Sequence, residues 1–155
     1  MGNQEELVSV LNDLIRINND RIVGYERASK ESKNIDVDLI ATFNKMADQS
    51  RKYKAELVQQ VSRLGGDAAS DTTVSGKVYR VWMDLKAAIT GKDRESILGS
   101  CEYGEDVAQR AYEAALESDA YMSTEVRQMI SSQKSDLKTS HDLIRKYRDL
   151  HEKVS

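Results

Sequence analysis

Two histidines, one cysteine and a scatter of carboxylates are the side chains in this 155-residue sequence that could ligate a metal, carry a nucleophile or move a proton. Metal centres inside helical proteins combine imidazole with carboxylate, often as Glu-x-x-His, because residues three apart share one helix face. No Glu-x-x-His occurs anywhere in the chain. Both histidines, His141 and His151, fall on one C-terminal helical stretch, so imidazoles from two different helices are not on offer. Glu105 stands out among the carboxylates, because helical phasing puts it on one face with Leu98, Cys101, Ala108 and Tyr112. A carboxylate in apolar surroundings is costly unless it is hydrogen-bonded or paired. Cys101 on the same face has no evident adjacent base and reads as a small buried apolar side chain rather than a nucleophile.

Four long helices must position these groups. The chain has no proline and 8 glycines, so long stretches run without a helix breaker. The first stretch spans about Glu5 to Ser32, with Leu7, Leu11, Leu14, Asn18, Tyr25 and Ser29 on one face. The second, about Asp36 to Leu64, carries Leu39, Phe43, Met46, Ser50, Tyr53, Leu57, Val61 and Leu64 in alternating steps of four and three, which is a bundle seam. Gly65-Gly66 then ends that helix. The third runs from about Asp93 to Glu117 with Ile97, Leu98, Cys101, Glu105, Ala108, Tyr112 and Ala115 inward. The fourth starts after Ser123, an N-cap residue, and continues to near Lys153 with Val126, Ile130, Gln133, Leu137, Ser140 and Ile144 inward.

Between the second and third helices lie about 28 residues, with Val78, Trp82, Leu85 and Ile89 spaced as the apolar side of a short extra helix over 77–89. Short links within each hairpin and one long crossover between them define an all-α, antiparallel four-helix bundle of ferritin-like topology, a single domain over 1–155.

Composition narrows the function classes. With 23 Lys plus Arg against 26 Asp plus Glu, the net charge of −3 argues against a general phosphate-backbone binder. The basic run Arg51-Lys52-Tyr53-Lys54 sits among acidic neighbours and reads as a solvated face. No apolar run exceeds three residues, and the N-terminus lacks a basic and apolar leader, so a cytoplasmic protein without a membrane span is expected. Five scattered Met residues give no haem-lining pattern, and no cofactor is implied.

An internal repeat ties the halves together. A shift of 87 residues carries Leu11 to Leu98, Asn18 to Glu105, Tyr25-Glu26 to Tyr112-Glu113 and Ala28 to Ala115, and the same shift carries Phe43 to Ile130, Ser50 to Leu137, Tyr53 to Ser140 and Leu57 to Ile144. One shift serving both helices of each hairpin implies a pseudo-two-fold bundle.

The segments LNDLIRINNDRIVGYERA, SRKYKAELVQQVSRLGGD, WMDLKAAITG and CEYGEDVAQRAYEAALE resemble, nearly over the full length, an uncharacterised bacterial family of ferritin-like four-helix bundles, distantly similar to bacterioferritin and rubrerythrin. In that superfamily two helices each give one Glu and two give Glu-x-x-His to a di-iron centre. Carried over by position, the resemblance puts Asn18, then Ser50 and Tyr53, then Glu105 in those slots. In the fourth helix it puts either Leu137 and Ser140 or, with a one-residue slip, Lys138 and His141. Glu105 alone is intact.

The slots therefore read as a polar core layer of Asn18, Ser50, Tyr53, Glu105 and His141, with Arg21, Ser140 and Lys138 at matching depth. Asn18 and Tyr53 are expected to hydrogen-bond Glu105 directly, which would make Glu105→Gln well tolerated. The function expected is that of a non-enzymatic bundle acting by self-association or a protein partner, without nucleic acid. The alternative is a divergent metal or redox protein using Glu105 and His141, with Glu26 or Glu102 as further ligands.

Overall fold

Uninterrupted backbone hydrogen-bond ladders and one apolar stripe per helix are what the sequence supplies, and the chain forms four helices accordingly. The computed structural model describes residues 2–32, 37–71 and 94–154. The helices are α1 (Gly2–Glu31), α2 (Val37–Arg63), α3 (Arg94–Glu117) and α4 (Thr124–Val154). At 1.5 Å per residue, the 30 residues of α1 make a rod about 45 Å long. The expected short helix over 77–89 lies outside the described residues.

The helix ends are specified locally. Ser123 Oγ accepts a hydrogen bond from the Val126 amide at 3.2 Å, which is the N-cap of α4. At the end of α2, the Gly66 amide bonds the Val61 carbonyl and the Gly65 amide bonds the Ser62 carbonyl, both at 3.0 Å. This is the Schellman pattern, and Gly65 takes the left-handed φ of 75° that it requires. Gly66 also lets α1 come close, since a Cβ there would lie 2.8 Å from Val8 Cγ1.

Helix α1 packs against both α2 and α3, while α4 packs against α3 and α2. Cross-helix bonds fix the directions: Gln4 reaches the Leu64 carbonyl, whereas Tyr25, near the other end of α1, reaches Glu105. Adjacent helices are therefore antiparallel, α2 ends at the end of the bundle where α1 starts, and α3 begins at the opposite end. The start of that crossover is fastened along α1. Asn12 bonds the Asp67 carbonyl and the Ala69 amide, Asn19 bonds the Asp71 carbonyl, and Arg16 pairs with the Asp71 carboxylate at 2.9 Å. The Arg16 hydrogen bond holds the Asp71 carboxyl below its ordinary pKa.

The core follows the stripes. Phe43, Met46, Leu57, Leu98, Tyr112 and Ile130 are all buried, and so is every residue paired by the 87-residue repeat from Leu11 with Leu98 to Leu57 with Ile144, apart from the exposed Glu26 and Glu113. The α1 stripe ends differently from the expected spacing: Ala28 and Ser32 are buried, and Ser29 is only half-buried. From Tyr25, steps of three and four keep pace with 3.6 residues per turn and land on those two residues. No described helix is long and apolar enough to cross a membrane.

Candidate functional site

At mid-height the bundle is polar on all sides of its axis. Asn18, Arg21, Ser50, Glu105, Gln133 and Ser140 are buried there, together with Tyr25, Tyr53 and Tyr112. The inward face of α1 brings Asn18, Arg21 and Tyr25 to this depth, because residues three and four apart stack on one helix side. Along α1 the five residues Ile17 to Arg21 are all buried, an unusual run that follows from the crossover segment covering the outer side at Asn19.

Glu105 on α3 is paired with Arg21 on α1. The guanidinium Nη2 is 2.7 Å and its Nε 2.8 Å from Oε1, with both side chains wholly inaccessible. Tyr25 donates its hydroxyl to the same oxygen at 2.6 Å, and the guanidinium carbon lies 5.3 Å from the Tyr25 ring centroid. Arg21 also donates to Ser50 Oγ, and to Gln49 Oε1 at 3.4 Å, while Ser140 Oγ donates to that Gln49 oxygen at 2.9 Å. One guanidinium thus links three helices directly and the fourth through Gln49. Burial is the largest single influence and favours loss of its proton, but the Glu105 charge, the neighbouring Tyr25 and the hydrogen bond to Glu105 together outweigh it and hold the Arg21 pKa above its ordinary value. Burial, then the neighbouring Glu105 charge, pushes Tyr25 well above the usual tyrosine range.

A second chain of bonds runs beside the first, through neutral side chains as far as Gln133 and ending on the Glu56 carboxylate. Asn18 Nδ2 donates to the Tyr112 hydroxyl at 2.9 Å, Tyr112 donates to Gln133 Oε1 at 2.6 Å, and Gln133 Nε2 donates to Glu56 at 3.0 Å. Burial raises the Tyr112 pKa as well. Tyr53 donates to Asp136 Oδ2 at 2.9 Å, and burial followed by that hydrogen bond raises its pKa.

These contacts correct the expected partners of Glu105 and the expected place of His141, and decide between the two alternatives in the fourth helix. Asn18 and Tyr53 do not satisfy Glu105: Asn18 bonds Tyr112 and the Leu14 carbonyl, Tyr53 bonds Asp136, and Glu105 is held by Arg21 and Tyr25. In α4 the inward residues are Leu137 and Ser140, whereas Lys138 is exposed and His141 is half-buried. His141 therefore stands outside the central layer. Its Nε2 lies 2.6 Å from Asp106 Oδ1 and its Nδ1 3.3 Å from Asp142 Oδ1, and with Glu102 and Asp106 it forms a separate cluster that does not include Glu105. Glu26, the other carboxylate considered, is exposed and pairs with Arg51 at 3.4 Å. Arg51 also meets Asp48 at 2.5 Å, so the first residue of the basic run is paired with acidic neighbours, while Tyr53 of that run is buried.

Tyr25 is the central residue that the sequence reading missed as a partner of Glu105. The repeat held the signal: the shift that maps Asn18 on Glu105 maps Tyr25 on Tyr112, and each tyrosine hydroxyl meets the opposite member of the other pair.

The fold is similar to that of a mutant of Dps1 from Mycobacterium smegmatis, with a TM-score of 0.79 over 95% of this chain and 97% of that one, at 11% identity. Among curated proteins none matches the sequence. Residues 6–118 match the model of a domain of unknown function, DUF2383, so this chain belongs to that family and carries a ferritin-like four-helix bundle.

Proposed function

We propose that the protein is a non-enzymatic bundle that works through its surface, by association with its own copies or with a protein partner, and that its centre is a polar layer needing no iron. The observation that carries this reading is the Arg21 guanidinium on Glu105, deep in the bundle. Two iron ions bring four or more positive charges and need several anionic ligands. The slots that the resemblance assigned hold Asn18, Ser50, Tyr53, Leu137 and Ser140 beside a single carboxylate, and a cation of the chain itself neutralises that carboxylate. This donor set does not fit a di-iron centre. The chemistry-bearing positions are replaced while the packing positions stay apolar, which leaves the outer faces to act.

One such face is on α4, where Leu143, Tyr147 and Leu150 follow each other in steps of four and three away from the inward stripe. Leu143 and Leu150 are 36% and 47% exposed, and this is the apolar side of α4 on which a partner would sit. The test combines light scattering after size exclusion with anaerobic loading of ferrous iron followed by oxygen. The expected result is a species larger than one chain and no oxygen uptake beyond that of free iron. Near two irons per chain with oxygen consumed would overturn the reading of the centre, and a strict monomer that retains no protein partner would overturn that of the surface.

A further inference from the structure

We propose that Glu102 and Asp106 of α3 and His141 of α4 bind one late first-row divalent cation, at a site on the α3–α4 seam separate from the polar centre. Glu102 and Asp106 are four residues apart and so share one side of α3. His141 faces them across the seam, and one ligand atom from each of the three lies within 4.8 Å of the others. The site combines one imidazole with two carboxylates. That set favours zinc or cobalt over calcium and magnesium, which prefer oxygen alone, and over copper(I), which prefers sulfur.

The imidazole is oriented as a ligand would be. Its Nε2 points at the carboxylates, 2.6 Å from Asp106 Oδ1, while its Nδ1 is 3.3 Å from Asp142 Oδ1. A carboxylate beside the remote ring nitrogen helps hold the orientation of the ring, and a bound ion would take the place of the direct His141–Asp106 contact. The side chains of His141 and Glu102 are 16% and 17% exposed, so the site is partly screened from solvent yet open to an entering ion.

Charge is the second argument. Two carboxylates on one turn repel each other unless a cation stands between them, and a divalent ion would neutralise both. The chain supplies one cation there itself: Arg148 Nη1 lies 2.6 Å from Glu102 Oε2, on one of the two carboxylate oxygens. Arg148 therefore competes with a metal for Glu102. Three protein ligands leave the remaining coordination positions to water.

This inference does not rest on the reading of the centre, since it uses none of the central residues. The experiment uses untagged full-length protein stripped with chelator, titrated calorimetrically with zinc and optically with cobalt(II). The expected result is one ion per chain and a cobalt spectrum containing nitrogen ligation. His141→Ala should weaken zinc binding at least tenfold and Asp142→Asn by a smaller factor, while His151→Ala leaves it unchanged. Arg148→Gln should tighten binding severalfold by removing the competing cation, a gain that an unfolded variant could not produce. Wild-type protein without one-to-one zinc binding, or binding that survives His141→Ala or is lost in His151→Ala, would overturn the proposal.

Discussion

The two pseudo-symmetric halves of the bundle centre solve one packing problem with different chemistry. In one half the Tyr25 hydroxyl crosses from α1 to Glu105 on α3; in the other, the Tyr112 hydroxyl on α3 meets Asn18 on α1. The shift of 87 residues exchanges these pairs, so the tyrosine-to-opposite-helix contact is a property of the repeat. What differs is the charge. The carboxylate half has Arg21 where the repeat has Ala108, and the amide half has Gln133 where the repeat has Met46. An anion in a dry core demands a cation, whereas an amide is satisfied by neutral donors and acceptors. The first half is therefore brittle to single substitutions, and the second should tolerate them.

The sharpest break of that comparison is to remove one ion. Arg21→Met should cost about 3–5 kcal/mol by leaving Glu105 uncompensated. Glu105→Gln, which sequence reading alone makes innocuous, should cost a similar amount because it strands Arg21. The double variant Arg21→Met, Glu105→Leu should regain most of the loss in urea denaturation. A double variant no more stable than either single one would show that the pair contributes by more than mutual neutralisation.

The apolar layer flanking the centre tests whether the halves are equivalent where charge is absent. Leu57 and Ile144, equivalent in the repeat, are both fully buried. Each change to Ala should cost about 2–5 kcal/mol from lost transfer energy and the cavity left behind. A cost below about 1 kcal/mol at either site would mean that the helix there collapses inward, and the symmetry of the packing would fail.

A finer comparison sets the two tyrosines against each other. Tyr25→Phe removes a hydrogen bond to a charged acceptor and should cost about 1.5–3 kcal/mol, whereas Tyr112→Phe removes neutral bonds and should cost about 1 kcal/mol. Asn18 and Gln133 keep other partners, at the Leu14 carbonyl and Glu56, which limits the second loss. Equal costs in thermal or urea unfolding would remove the distinction between the halves.

The smallest effect is one of pH. Burial raises the pKa of both phenols, Tyr25 further because of Glu105. The folded chain thus holds these protons more tightly than the unfolded chain, whose tyrosines ionise near about pH 10. Their contribution to stability is complete below that pH and is lost as pH rises above it. Unfolding free energy measured from pH 8 to 11 should fall at the upper end, and Tyr25→Phe should flatten the fall more than Tyr112→Phe.

How far the sequence reaches is visible residue by residue. Phe43, Leu57, Leu98 and Ile130 are core because helical phase is local: a period of 3.6 residues and the pattern of apolar side chains fix which side faces inward. The α2 stop at Gly65 is local too, since a left-handed residue there closes two carbonyls within the last turn. The repeat, with its implied ferritin-like bundle, follows from the same local information counted twice. Arg21, Asn18 and Glu105 are all legible as inward polar residues.

Which of them touch is not. One helical turn is about 5.4 Å, so a slide of that size between α1 and α3 would offer Glu105 a different member of the series Asn18, Arg21 and Tyr25. The axial offset is set by the packing of all four helices together, and it selects Arg21 and Tyr25. Rotation about the α4 axis decides in the same way between Ser140 and His141: one residue is a turn of about 100°, enough to take an imidazole from the polar centre to the seam with Glu102 and Asp106. The sequence by itself determines the helices, their inward faces and the repeat, because those depend on neighbours within one or two turns. The partners of Glu105 and His141 belong to the tertiary structure, because they depend on offsets between helices that no single helix encodes.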